Sequence, residues 1–423
     1  MNTLASAAVT IPAQPVITSQ AAVSRDAPVE TPSPAKLSAH RFHYIDHLRT
    51  IATVQVILAH TCMTYGGTGF WFYREIGNSR SPSSVLFTLF VITSQAYLMG
   101  LFFLLAGYFT PRSYDCKGPA TFLYERAIRL GVPLLLFGFV LAPLTVAMVS
   151  AATGHGFWPA IRDLWQQRNF INGPLWFTEG LLAISIGYTL WRKLQFGHLQ
   201  GENQRSEHNK PWKPLRVVSW KQLPGQGTWL LFVLAIVSAT FLVRLVFRAD
   251  QRFFGVWLGN FPAYIFLFCL GVAARRHQWM SQLNMRHARP WIILSILVWP
   301  TLAIAKSFLR TSDTIAHLLG GLHWEALLYA AWEPFVAVGI ISGLLVIFRR
   351  YFNRPSNFMA WLDRRAYAVF VFHPPVVVAV CLLLRNWHTS GLLKFAVAGP
   401  VACAAAWLLA DPLVRLPILR KIF

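Results

Sequence analysis

Long apolar runs separated by short polar segments make up most of the chain. A helix needs about 20 mostly apolar residues to cross the roughly 30 Å of hydrocarbon in a bilayer, and ten runs have about that length. None of them alternates with period two, as the strands of a membrane barrel would. The pattern therefore predicts an all-α polytopic membrane protein with about ten transmembrane helices. The predicted spans are residues 48–65, 86–109, 128–149, 175–191, 229–247, 261–274, 291–309, 326–348, 366–384 and 395–410.

Composition and charge add an orientation to this pattern. Only 13% of the 423 residues are charged, whereas a water-soluble protein carries about 25%. The formal net charge of +22 comes from basic residues that lie between the apolar runs, which excludes nucleic-acid binding and favours loops that face anionic lipids. Alternate connecting segments hold 27 of the 38 Lys and Arg residues. By the positive-inside rule, these segments and both termini are predicted to be cytoplasmic.

The N-terminal region differs from the rest of the chain. Residues 1–40 are rich in Ala, Pro, Ser and Thr and contain no long apolar run. We expect a disordered cytoplasmic tail there, followed by one membrane domain over residues 41–423. The five cysteines form no Cys-x-x-Cys pair. They predict neither a disulfide framework nor a zinc centre, and no metal site is predicted.

Ionisable side chains inside a span are costly, so each one is a candidate functional residue. The first span begins near Asp46 and Arg49 and reaches His60 eleven residues after the arginine. Eleven residues make three helical turns plus about 20°, so Arg49 and His60 share one face about 16 Å apart, with Asp46 about 40° from His60. His60 has two interpretations: a general base near the membrane centre, or a packing histidine bonded to a neighbouring carbonyl.

Two arginines begin the third span at the helical spacing i, i+3. Arg126 and Arg129 therefore project from one helical face. A guanidinium group binds phosphates and carboxylates in a planar bidentate geometry, which makes the pair a candidate anion site. The alternative is that both side chains extend to the lipid headgroups at the membrane boundary.

Three further residues inside spans also have two interpretations each. Glu179 and Glu333 either position a hydroxylated acceptor or form an interhelical ion pair with an arginine. His373 precedes Pro374, and a proline leaves a carbonyl of the preceding turn without its amide donor. His373 is therefore either catalytic or bonded to that carbonyl.

Six motifs follow one another along the chain: residues 45–49 followed by His60, residues 102–109, Arg126 and Arg129 followed by Pro133, and residues 175–177, 264–271 and 366–373. Taken together, these motifs resemble the acyltransferase 3 family, ten-helix proteins of the bacterial inner membrane that acylate hydroxyl groups of glycans and other envelope or secreted products. The resemblance extends from about residue 42 to the C-terminus. The opening of the fourth span is similar to the branch that succinylates osmoregulated periplasmic glucans.

Four positions depart from the family pattern. His47 and Thr50 stand where glycines are usual, Ala106 stands for a serine, and Ala366 stands for a small polar residue. These departures bear on the identity of donor and acceptor more than on the reaction class. Because the chain ends soon after the tenth span, without an appended esterase-like domain, we expect the reaction to finish in the membrane domain or to pass the acyl group to a separate partner.

The resemblance implies a donor, an acyl-coenzyme A that arrives from the cytoplasm as a substrate and supplies an acetyl or succinyl-like group; no bound cofactor is expected. Arg49, Arg126 and Arg129 would hold its phosphates or polarise its thioester. His60 would take the proton of the acceptor hydroxyl or carry the acyl group briefly, and Asp46 would orient Arg49 or His60.

The resemblance also implies an acceptor, a carbohydrate or another hydroxylated molecule that arrives from the outer side. Trp176, Glu179 and the aromatic loop 69–73 would stack on it and hydrogen-bond it, and Glu333 and His373 would support the site. Membrane lipids are the remaining expected partners.

A transporter or flippase for a lipid-linked or small polar substrate is the main alternative, because buried His, Arg and Glu side chains also form proton or substrate pathways. It predicts inverted repeats and paired broken helices, and neither is evident in the sequence. A second alternative is the unrelated class of membrane-bound acyltransferases built around an asparagine and a distant histidine. The early Arg49 and His60 do not fit that class.

Overall fold

The computed structural model describes residues 42–79, 81–200, 222–253, 255–308 and 316–417, together with Leu419 and Ile422. For residues 196–200 and 306–308 it describes the backbone only. The described residues form helices, and apart from two isolated bridges they contain no strand. The predicted all-α class is thereby confirmed. The tail predicted over residues 1–40 and most of the basic segment 192–227 lie outside the described residues, and the tail stays a prediction.

The described residues form ten long α-helices and three short ones, α1 to α13 in chain order. Each of the ten predicted spans lies in one long helix and extends beyond it by no more than three residues. The helices are α1 (His43–Thr64), α2 (Pro82–Lys117), α3 (Pro119–Ala152), α4 (Phe157–Gln166), α5 (Trp176–Gln200), α6 (Gln226–Arg244), α7 (Phe261–Arg276), α8 (Trp279–Gln282), α9 (Met285–Phe308), α10 (Trp324–Tyr351), α11 (Asn357–Asp363), α12 (Ala366–Leu383) and α13 (Gly391–Arg415).

Within the described residues, eight helices are long and apolar enough to cross a membrane. The other two long helices, α1 and α5, carry more polar side chains. Large apolar side chains on the outside of the bundle stay exposed, among them Leu231, Ile296 and Leu408, each more than 60% exposed. Lipid tails are as apolar as leucine, so such a surface suits a bilayer. The chain is a multi-pass helical membrane protein.

The long helices alternate in direction, which gives the bundle two ends. His47 near the start of α1 bonds Asp363 at the end of α11, and the indole of Trp407 near the end of α13 donates to the carbonyl of Leu362. The start of α1 and the end of α13 therefore lie at the same end of the bundle, as an even number of spans requires. This end, which carries Arg49, is called the arginine end, and the end that carries the loop over residues 65–79 is called the opposite end.

Two glycines bring α2 and α7 into direct backbone contact. A Cβ atom added at Gly107 would lie 2.1 Å from the carbonyl oxygen of Phe268, and one at Gly271 would lie 2.1 Å from that of Leu104. Either side chain would force the helices apart, because backbone atoms cannot yield as a flexible side chain can. Both glycines belong to the motifs 102–109 and 264–271, and this close approach is the physical reason for them.

One basic residue assigned to a loop lies inside the bundle. The fourth predicted span ends at residue 191, which puts Arg192 in the basic connecting segment 192–227, but α5 continues past it and its side chain is fully buried. Its guanidinium group donates to Asp115 at 2.8 Å and to the hydroxyl of Tyr188 at 3.0 Å. Arg192 is thus an interhelical contact, since a buried charge must be paired and hydrogen-bonded.

Candidate active site

A cavity of about 460 Å³ opens at the arginine end. The three arginines singled out from the sequence, Arg49 on α1 and Arg126 and Arg129 on α3, all line it. Lys117 and Arg364 add two further cations, and the acids on its wall are Asp46, Glu125 and Asp363. Cationic side chains therefore exceed acidic ones around the cavity, which favours an anionic ligand.

The two arginines of α3 are held differently. The guanidinium group of Arg126 donates to the hydroxyl of Thr110 at 3.2 Å and lies over the ring of Phe122. Arg129 is exposed and lies in a π-helical turn, Ala127–Gly131. Pro133 has no amide hydrogen for the carbonyl four residues earlier, which is that of Arg129, and the hydroxyl of Tyr367 donates to this carbonyl at 2.5 Å. π-Helical turns are frequent at functional sites.

Three phenylalanines close the inner end of the cavity. The rings of Phe102, Phe177 and Phe370 lie 5.7 to 6.2 Å apart and all line it. They are called the phenylalanine cluster below. Thr53 lines the cavity on α1, and His60 follows it by seven residues, about 10 Å along the helix. His60 itself does not line the cavity.

Beyond the phenylalanine cluster lies a pair of histidines from helices far apart in sequence. Nδ1 of His60 on α1 lies 2.9 Å from Nε2 of His373 on α12. His373 is fully buried, and its Nδ1 lies 2.8 Å from the carbonyl oxygen of Phe370. Pro374 leaves that carbonyl without its helical donor. The bond to the released carbonyl is one of the two interpretations that the sequence offered for His373, and its other ring nitrogen contacts His60.

These contacts fix the tautomers of a neutral histidine pair. A carbonyl oxygen only accepts hydrogen bonds, so Nδ1 of His373 carries the hydrogen and donates to Phe370. Nε2 of His373 then has a lone pair and accepts from Nδ1–H of His60. The remaining nitrogen of His60, Nε2, is left with a lone pair that can take a proton. The chain from Phe370 through His373 thus leaves Nε2 of His60 as the accepting nitrogen of the pair.

An indole ring covers one face of the His60 imidazole. Trp71, in the loop at the opposite end, stacks on His60 with ring centroids 4.0 Å apart and an interplanar angle of 7°. Trp71 is buried, and none of the described residues accepts a hydrogen bond from its indole N–H. Loop 69–73 is predicted to stack on a sugar; its tryptophan packs on His60, and the stacking on a sugar stays a prediction. A parallel aromatic face stabilises a cation, so Trp71 suits the protonated form of His60.

The two residues that replace family glycines share one partner. Nδ1 of His47 lies 2.9 Å from Asp363, and the hydroxyl of Thr50 donates to the other oxygen of the same carboxylate at 2.6 Å. Both the His47 and the Asp363 side chains are about 95% buried. Because Asp363 and Arg364 line the cavity, this contact holds a wall of the cavity against α1.

The acids and the tryptophan proposed for the acceptor do not converge on His60. Glu333 pairs with the fully buried Arg244 at 2.5 Å, which is the interhelical ion pair offered as one of its two interpretations. Glu179 accepts from the side-chain amide of Asn172 at 2.8 Å. Trp176 is buried against Trp257, with ring centroids 5.4 Å apart.

Several residues around the site had no strong signal in the sequence. Phe370 contacts His373 through its backbone carbonyl, and the local indication of this free carbonyl in the sequence is the proline four residues later. Pro133 indicates the free carbonyl of Arg129 in the same way. Asp363 lies in a basic connecting segment outside the predicted spans, where an acidic residue is common and is not a candidate functional residue. Its partners His47 and Thr50 were visible only as departures from glycine.

Within the described residues, ten long helices form a membrane bundle with a cationic cavity at one end and a histidine pair in which one ring nitrogen keeps a lone pair. The model of the acyltransferase domain family Acyl_transf_3 matches residues 42–411, most of the chain. The chain therefore belongs to the acyltransferase 3 family and is a membrane acyltransferase. No curated protein and no solved structure matches it.

Proposed function

We propose that this protein transfers an acyl group from an acyl-coenzyme A to a hydroxyl group of a glycan or another cell-envelope or secreted acceptor, with His60 as the general base. The observation that carries this proposal is the chain from the Phe370 carbonyl through His373 to His60, which leaves Nε2 of His60 with a lone pair. Family membership supplies acyl transfer as the reaction class. A succinyl group is one proposed acyl group, because the opening of the fourth span is similar to the succinylating branch.

The donor is proposed to bind in the cavity at the arginine end. Arg49 and Arg129 are exposed and Arg126 is half-buried, so the two exposed guanidinium groups meet the donor's phosphates while Arg126 holds a group deeper in the cavity. Arginine binds phosphates in a bidentate geometry, which favours this assignment. By the charge distribution the arginine end faces the cytoplasm of a bacterial inner membrane, where acyl-coenzyme A is made.

The thioester must pass the phenylalanine cluster to reach His60. Phe102, Phe177 and Phe370 separate the cavity from the histidine pair. Side-chain rotation of one ring opens this passage, and the acyl group advances along α1 over the roughly 10 Å between Thr53 and His60. Because Phe370 belongs both to the cluster and to the histidine chain, donor entry and the state of the base are coupled at this residue.

The proposed acyl transfer needs two proton transfers, and His60 carries out both. Nε2 of His60 takes the proton of the acceptor hydroxyl as its oxygen attacks the thioester carbonyl. The C–S bond then breaks, the ester forms, and the proton passes from His60 to the leaving coenzyme A thiolate. Trp71 stabilises the imidazolium that exists between these two proton transfers.

The test uses the purified full-length chain in lipid nanodiscs, with acetyl- and succinyl-coenzyme A and an extract of envelope glycans. We expect acceptor-dependent release of coenzyme A and a product heavier by one acyl unit in mass spectrometry. His60→Ala should lower the rate by roughly 10² to 10⁴ while the protein stays monodisperse. If His60→Ala transferred acyl groups at the wild-type rate, the proposed base would be wrong. If His60 carries the acyl group, an acid-labile acyl-imidazole appears when the acceptor is omitted.

A further inference from the structure

Two histidines and a glutamate meet at the opposite end, in the segment between α9 and α10. His317, His323 and Glu325 each offer one ligand-type atom, and the three atoms all lie within 4.8 Å of one another. No residue of this cluster takes part in the proposed acyl transfer. We propose that His317, His323 and Glu325 form a binding site for a divalent transition metal of the Zn²⁺ class.

The three side chains have no competing partners. Within the described residues, no hydrogen bond or ion pair joins the ring nitrogens of His317 and His323 or the carboxylate of Glu325 to another group. Glu325 is only 7% exposed. A carboxylate that has no cationic partner is available to coordinate a metal ion. Two neutral imidazoles and one carboxylate carry one negative charge, and one divalent cation compensates it.

The backbone brings the ligands together over a short stretch of sequence. Gly321 has a φ of +89°, a conformation that favours glycine. The amide of His323 donates to the carbonyl of Gly321 at 2.9 Å, and this tight turn lays His323 over His317 with ring centroids 3.8 Å apart. His323 is the N-cap of α10, and Glu325 lies in the first turn of that helix. A helix start accounts for an acid in its first turn but not for the two stacked histidines.

The three ligand atoms fit the coordination of zinc once one histidine ring has turned. Zinc binds imidazole nitrogen and carboxylate oxygen at about 2.0–2.2 Å, so tetrahedral ligand atoms lie about 3.4 Å apart. The atoms here must therefore approach by about 1.5 Å at most. A bound ion lies in the plane of each imidazole, and two parallel rings cannot share one ion. Binding must turn one ring out of the stack, which half-buried side chains at a loop permit.

The segment that carries the cluster is hydrogen-bonded to the end of α6 and to the residues after it. The amide of Ala249 donates to the carbonyl of Leu319 at 2.7 Å, and the amide of Gly321 donates to the carbonyl of Arg244 at 3.0 Å. An ion held by three residues of this segment would stabilise it next to Arg244, which pairs with Glu333. A set of two histidines and one carboxylate leaves the fourth zinc position open to water.

The experiment measures Zn²⁺ binding to the full-length chain, purified in nanodiscs with an affinity tag that contains no histidine. Equilibrium dialysis followed by elemental analysis should give about one Zn²⁺ per chain, and X-ray absorption should show a nitrogen and oxygen shell without sulfur. His317→Ala with His323→Ala should abolish this binding, and Glu325→Gln should weaken it. Zn²⁺ should also raise the thermal midpoint of the wild type and not of the double variant.

A matched control removes two other histidines at the same end. His155 and His388 are both exposed and lie outside the cluster, so His155→Ala with His388→Ala should keep full Zn²⁺ binding. His323→Asn, which changes size little, replaces the double variant if that protein is not monodisperse. Two results would overturn the proposal: no Zn²⁺ bound to the wild type, or the same Zn²⁺ content in the cluster variants, which would place the ion outside the cluster. Acyl transfer is assayed separately, so neither result bears on His60 as a base.

Discussion

The carbonyl oxygen of Phe370 lies 2.8 Å from Nδ1 of His373, while the ring of the same phenylalanine lines the arginine-end cavity. One residue thus touches both halves of the candidate active site. Its backbone sets the tautomer of the histidine pair, and its side chain closes the proposed donor cavity. A movement of α12 at this residue would change the passage and the base together.

The first prediction concerns His373 as a positioning residue. In His373→Gln the new amide donates to the Phe370 carbonyl and its oxygen accepts from His60, whereas His373→Leu can do neither. We expect His373→Leu to lower kcat about 10- to 100-fold, the effect of losing a hydrogen bond to a group that becomes charged. His373→Gln should retain most of the activity, and KM for the donor should change little in both.

A double-mutant cycle isolates this role. In a His60→Ala background, His373→Leu should cause no further loss of kcat, because there is no base left to orient. A multiplicative loss would instead mean that His373 acts independently of His60.

The second prediction concerns donor binding by Arg126. Arg126→Gln removes a charge from the cavity wall, and a hydrogen bond to a charged group contributes about 1.5–3 kcal/mol. KM for acyl-coenzyme A should rise by about ten-fold or more, with a smaller change in kcat. Arg350→Gln serves as the control, since Arg350 is exposed on α10 and does not line the cavity. An unchanged KM in Arg126→Gln would remove this arginine from the donor site.

The third prediction concerns acyl-chain selection by the phenylalanine cluster. Phe102→Ala widens the inner end of the cavity, so longer acyl groups should pass more easily. We expect the ratio of kcat/KM for a butyryl over an acetyl donor to rise by about ten-fold. Phe109→Ala removes a ring that lines the same cavity but lies seven residues, about 10 Å, nearer the arginine end. An equal change of the ratio in both variants would contradict a selective role for the cluster.

The fourth prediction concerns stability through Arg244 and Glu333. Glu333→Gln leaves the fully buried Arg244 without its counter-charge, and breaking a buried pair costs about 3–5 kcal/mol. The temperature at which half of the protein remains monodisperse in detergent should fall by several degrees. Asp250→Asn is the control, because its pair with Arg248 is exposed and such pairs contribute only about 0–1 kcal/mol. Similar midpoints for the two variants would show that the buried pair carries no special stability.

The sequence alone determined the class of the fold and the common end of the bundle at which Arg49, Arg126 and Arg129 lie. Apolar runs of membrane length and the spacing of Arg126 and Arg129 are local properties, because hydrogen bonds within a helix and the need to bury apolar surface act over neighbouring residues. For the same reason each predicted span coincides with one long helix and extends beyond it by no more than three residues. Nothing local assigns a partner to a side chain inside a span.

Tertiary structure decided the partners. His60 and His373 are 313 residues apart, and so are Thr50 and Asp363. Glu333 could equally have bound an acceptor, and only the packing of α6 against α10 puts Arg244 beside it. Lipid solvates every apolar helix face alike, so hydrophobicity does not select the neighbour of a helix. Close packing at small residues such as Gly107 and Gly271, together with the requirement that buried polar groups be paired, makes that selection.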